Sequence, residues 1–97
     1  MKVKIRVTDE HLSNGVRQNC GLCPVALAIG EIVMEDVRIW VLPSSITLLM
    51  GYDLHKIWNS IEMGRYISDI DQSVDVEPRE FEVEIPEKYL PTVTYES

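Results

Sequence analysis

The chain has 97 residues, 45% of them hydrophobic, and a net charge of −7. That length builds one domain and is too short for two, and the apolar fraction is enough for a core without disulfides. The charge argues against the basic surface that non-specific binding to nucleic acid or anionic membranes needs, and no run of about 18 apolar residues offers a membrane-spanning helix.

Residues 2–7 alternate, with Val3, Ile5 and Val7 on one face and Lys2, Lys4 and Arg6 on the other. This is the pattern of a half-buried strand. It is not the continuous apolar run of a signal peptide, so a cytoplasmic location is expected. In that compartment two cysteines are thiols or metal ligands more often than a structural disulfide. Thr8 suits the cap of a short helical turn through Asp9 and Glu10, whose carboxylates favour its positive end. Asn14-Gly15 stops it.

Residues 15–23 read as a loop. Pro24 fits a first helical turn, where a missing N–H costs nothing. Residues 24–33 are apolar nearly all round, which predicts a buried central helix. Residues 37–42 form a second expected strand, ended by Pro43, and 45–50 a third, with a turn at Gly51-Tyr52-Asp53. Residues 54–58 fit either a strand or the start of a helix. Asn59 and Glu62 have capping-box spacing. Met63, Tyr66, Ile67 and Ile70 then recur at helical spacing, which predicts an amphipathic helix over 60–72. Glu80, Glu82 and Glu84 alternate with Phe81, Val83 and Ile85, giving a strand with one acidic face. Residues 86–97 hold Pro86 and Pro91 and read as a partly irregular tail.

These elements predict a single α+β domain over 1–97. A small antiparallel or mixed sheet would pack against one buried helix (about 24–33) and one amphipathic helix (about 60–72). The charge is uneven. Residues 1–58 balance six basic against six acidic side chains, whereas 59–97 set Arg65, Arg79 and Lys88 against ten carboxylates. If the first and last strands are neighbours, Lys2, Lys4 and Arg6 face Glu84, Glu82 and Glu80 and fix the register.

Three features point to function. Cys20 and Cys23 stand at the expected helix start, where unpaired N–H groups and the helix dipole favour a thiolate. The pair is half of a zinc site or the core of a redox site; the bland alternative makes Cys23 a small buried hydrophobe. Arg17, Gln18 and Asn19 supply donors in the same loop. With Cys20 and Cys23 they form a candidate ligand-binding set for a small anion. Asp69, Asp71, Glu80, Glu82 and Glu84 form a candidate partner-binding set, since strand alternation spaces carboxylates by roughly 6.6–7 Å, near a phosphate repeat. The bland alternative is a solvated face neutralised by the first strand. Trp40 and Trp58 are read as core, although an exposed Trp40 would mark a partner surface. His11 and His55 are lone histidines, and no hydrolase or metalloprotease motif is present. No catalytic residue, metal-ligand set or cofactor is therefore expected.

The stretch from His11 and Leu12 through Gly15, Arg17, Cys20 and Cys23 to Pro24-Val25-Ala26-Leu27-Ala28 resembles a signature of small bacteriophage and actinobacterial proteins. The later Tyr66-Ile67-Ser68-Asp69-Ile70-Asp71 and Val76-Glu77-Pro78 are similar to theirs. The resemblance implies no activity and no catalytic residue. It implies a phage accessory protein in the host cytosol that acts by binding a host protein or a small anionic, nucleotide-like signal; the charge balance argues against direct contact to nucleic acid or membrane. A zinc- or redox-linked module centred on Cys20 and Cys23 is the alternative, and a structural subunit of a larger assembly, such as a homo-oligomer, is the second.

Overall fold

In the computed structural model, residues 1–16, 19 and 21–91 are described. Among these residues five strands and three α-helices run in the order β1 (Lys2–Val7), α1 (Asp9–Asn14), α2 (Pro24–Gly30), β2 (Arg38–Val41), β3 (Ser45–Met50), β4 (Asp53–Trp58), α3 (Ile61–Asp71) and β5 (Arg79–Glu84). A 3-10 turn follows at Glu87–Tyr89. The strands form two antiparallel sheets, a β1–β5 ribbon and a three-stranded sheet in the order β2-β3-β4. The α+β class read from the sequence therefore holds.

The ribbon has the register that its alternating charges favour: Lys2 opposite Glu84, Lys4 opposite Glu82, Arg6 opposite Glu80. Ile5 and Val7 point inward from β1, and Val83 from β5. Thr8 caps α1, its Oγ1 accepting from the His11 N–H at 3.3 Å. The His11 ring is buried. Its Nδ1 accepts from the Thr8 N–H at 3.0 Å, which leaves Nε2–H to donate to Glu31 at 2.8 Å. One histidine thus closes the cap of α1 and ties it to the end of α2.

Helix α2 is central, with Val25, Ala26, Ala28 and Ile29 buried. It ends at Gly30 rather than near residue 33, because the Ile29 carbonyl takes bonds from both Ile32 and Val33 and turns the chain. Helix α3 buries Met63, Tyr66, Ile67 and Ile70, the residues that its spacing marked. Its cap differs from the expectation. Ser60, not Asn59, accepts from the Met63 N–H, at 3.1 Å. Asn59 instead donates through Nδ2 to the Leu42 and Pro43 carbonyls at 2.8 and 3.2 Å, clamping the β2–β3 turn. The chain comes off a β-strand at this point, so the first side chain free to face the helix is the next one. Gly64 lets α3 approach that same turn, since a Cβ there would lie 2.6 Å from the Pro43 carbonyl oxygen.

The C-terminal part closes the core. Tyr89 is fully buried, its hydroxyl donating to the Asp53 carbonyl at 3.2 Å and its own carbonyl accepting from Met34 at 3.0 Å. Residues 92–97 of the expected tail lie outside the described residues.

Candidate functional site

The three-stranded sheet has two unlike faces. Its strands pair so that Arg38, Leu49 and Leu54 form one cross-strand row and Trp40, Thr47 and Lys56 the next, with Trp58 opposite Ser45. Residues directly across share a face, so these rows lie on one side. The other side carries Ile39, Val41, Ile46, Leu48 and Ile57, and each of these belongs to or packs on the core. None of Trp40, Leu49, Leu54 and Trp58 does. Trp58 is 72% exposed and Leu54 61%.

The turn chemistry sets this display. Leu42 and Ser45 exchange both backbone hydrogen bonds, at 2.8 and 3.2 Å, across the Pro43-Ser44 turn. Gly51, at φ +63°, leads the second two-residue turn, where a left-handed first position suits glycine. The two tight hairpins leave no freedom of register, so the polar and aromatic outward positions fall into line.

Charge separates this face from the rest of a strongly acidic chain. Among the described residues Arg38 and Lys56 lie on it and no carboxylate does. Asp53, the only carboxylate in β4, is paired with Lys88 at 2.6 Å, and this hydrogen bond raises the Lys88 ammonium above the usual lysine value. Lys56 Nζ sits 5.2 Å from the Trp58 ring centroid, a cation–π distance. Beside the face, α2 and the free edge of β2 border an open cleft of about 590 Å³, lined by Leu22, Ala26, Leu27, Ile39, Arg38 and Trp40 among others.

The residues singled out from the sequence are dispersed. Trp40 is half-buried and borders both the outer face and the cleft. Trp58, read as core, is instead the most exposed tryptophan, because the register of β4 turns it away from the core. Arg17, Gln18 and Cys20 lie outside the described residues. Asn19 spends its Oδ1 on the Gly21 and Leu22 N–H groups, at 3.0 and 3.1 Å, and so shapes its own loop. Cys23 is buried and caps α2, its sulfur accepting from the Ala26 N–H at 3.4 Å. Among the described residues no group of three His, Cys, Asp or Glu side chains is placed to hold a metal ion.

The acidic set divides in two. Glu80, Glu82 and Glu84 face the cations of β1. Arg6 binds Glu80 at 2.7 Å and holds that carboxyl below the usual carboxylate range; the Met1 ammonium does the same to Glu84. Asp69 and Asp71 are half-buried on the last turn of α3. Leu54, Lys56 and Trp58 were the residues that sequence reasoning missed. Their signal is an apolar-basic-aromatic alternation within 54–58, visible only once that segment is known to be a strand. Among the described residues no helix is long and apolar enough to cross a membrane. Comparisons with protein-family models, curated proteins and solved structures return no match.

Proposed function

We propose that this chain is a non-enzymatic binding protein of the phage accessory type, which antagonises a host defence or regulatory system by covering a protein surface with the outer face of its three-stranded sheet. One observation carries the reading. A tight, two-hairpin sheet spends its inner face on the core and holds Trp58, Leu54, Leu49 and Trp40 outside it, around two cations. Aromatic anchors ringed by polar groups are the usual energetic centre of a protein interface. The phage assignment is supported by the resemblance at Cys20 to Ala28.

The test pairs capture with reconstitution. Proteins retained by the full chain in a bacterial host are purified and titrated against the wild type and a Leu54→Asp, Trp58→Asp variant. The variant should bind at least about thirtyfold more weakly, since buried anchors dominate interface energies, while its circular dichroism is unchanged. Equal affinity overturns the reading. Sequestration of a small anionic, nucleotide-like signal is the second reading, favoured by the cleft, where Arg38 and Trp40 stand opposite the loop that bears Gly21 and Leu22. A small molecule retained in the native mass spectrum and lost on Arg38→Ala would select it.

A further inference from the structure

We infer that the outer face takes its partner by strand addition: an extended, acidic segment of a protein pairs with the free edge of β4, setting a carboxylate against Lys56 and apolar side chains against Leu54 and Trp58. This rests on the protein-covering reading above and names the chemistry of the partner.

Among the described residues strand β4 is an edge, bonded to β3 alone. Its pairing can be followed from the Asn59 N–H, which donates to the Ser44 carbonyl at 3.0 Å. In an antiparallel ladder bonded and non-bonded positions alternate. Asn59, Ile57, His55 and Asp53 therefore point their backbone groups at β3, and Trp58, Lys56 and Leu54 point theirs away from it. Among the described residues no other element supplies a backbone hydrogen bond to those three. The result is an open ladder about 13 Å long, and its three residues are also the three of β4 whose side chains stand exposed on the outer face.

Natural edges of this kind are covered, twisted away or blocked by charge. Asp53, at the start of β4, is paired with Lys88, and Lys56 is the charge at the centre of the open ladder, where its position is informative. Two copies of β4 paired about their midpoint would set Lys56 against Lys56, and like charges directly opposite destabilise a strand pair. The edge therefore disfavours a second copy of this chain and favours a strand with a carboxylate at the centre. Leu54 and Trp58 lie two positions to either side, so the matching segment reads apolar, acidic, apolar at alternate residues, in either direction along the edge. Among the described residues no carboxylate on the face competes for Lys56, and Arg38, two strands away, adds to the attraction. A single-stranded nucleic acid could also stack on Trp58, yet it lacks the regular alternation of N–H and C=O groups that continues a β ladder.

The probe is a strand-forming peptide in which one glutamate has isoleucine two residues away on each side and threonine between. Added to the full chain, it should slow hydrogen exchange at the Leu54, Lys56 and Trp58 amides and leave the rest of β4 unaffected. N-methylation of its alternate amides should abolish binding in one of the two registers and leave the other intact. Lys56→Glu should weaken the glutamate peptide by about fivefold and strengthen the matching lysine peptide by a similar factor, as expected for opposed cross-strand charges. Unprotected amides, equal effects of both N-methyl registers, or an unchanged charge preference overturns strand addition. So does a chain that sediments as a dimer through β4, or one that binds an oligothymidylate more tightly than the peptide. If a reconstituted partner depends on Trp58 while the three amides stay unprotected, the surface reading stands and only strand addition fails. If the partner does not depend on Trp58, both fail.

Discussion

The two sheets use the same device, alternation of inward and outward side chains, to opposite ends. In the β1–β5 ribbon every outward row sets a cation opposite a carboxylate, and Arg6–Glu80 closes to an ion pair. In the β2-β3-β4 sheet the outward rows set Arg38 beside Leu49 and Leu54, and Lys56 beside Thr47 and Trp40, with nothing of opposite charge among the described residues. A surface that satisfies itself holds the fold together. A surface left unanswered is available to something else. The strip of glutamates, the most conspicuous charge feature of the sequence, belongs to the first kind, and the inconspicuous segment 54–58 to the second.

The largest difference between the sheets should appear on deleting one aliphatic side chain from each. Ile5 is fully buried on the inner side of the ribbon, and Leu54 is exposed on the outer side of the other sheet. Ile5→Ala should cost about 2–5 kcal/mol, the transfer term plus a cavity. Leu54→Ala should fall within about 0.5 kcal/mol of wild type. Urea unfolding of both variants measures this. A comparable loss from Leu54→Ala would mean that the outer face is part of the core and would remove the basis for a docking surface.

Much of this contrast was legible in the sequence, and the reasons are local. Six alternating residues at 2–7 and six at 79–84 carry complementary charge, so the pairing and its register follow from the side chains themselves. The stripe of Met63, Tyr66, Ile67 and Ile70 fixes α3 in the same way. The outer face was not legible because it depends on two turns acting together. Whether Trp58 points in or out is decided by the closure of Pro43-Ser44 and Gly51-Tyr52, and a one-residue change in either would turn it inward. The cap at Ser60 fails for a similar reason, since Asn59 is drawn to the carbonyls of a turn distant in sequence. Tyr89 lies among polar and proline residues with no periodicity, and only the tertiary fold shows that it fills the core.

A smaller effect should follow from the contact that supports the open sheet at its turn. A Cβ at position 64 would lie 2.6 Å from the Pro43 carbonyl oxygen, a backbone atom that cannot swing aside. Gly64→Ala should therefore cost about 1–3 kcal/mol, the range for forcing extra volume into a packed contact, despite the better helix propensity of alanine. Urea unfolding again gives the number. A more stable variant would show that the β2–β3 turn yields to α3, and that the rigidity ascribed to the outer face is overstated.

The smallest effect separates the two sheets by pH. Arg6 depresses the Glu80 carboxyl in the folded ribbon, first by its hydrogen bond and then by its charge. A carboxyl whose folded value lies below its unfolded value contributes stability at pH above the unfolded value, and that contribution is lost as pH falls through the folded one. Both side chains are substantially exposed, so the contribution is small and screened by salt. Arg6→Gln should thus lower the thermal midpoint slightly at neutral pH, and the gap from wild type should close on acidification. Lys56→Gln should show no such convergence, because among the described residues no carboxylate lies on the outer face. A gap for Arg6→Gln that persists undiminished into acid would mean that Arg6 holds the ribbon through its aliphatic stem. A gap for Lys56→Gln that closes with acid would reveal a carboxylate partner on the outer face, and the charge argument for an acidic strand along β4 would then lose its footing.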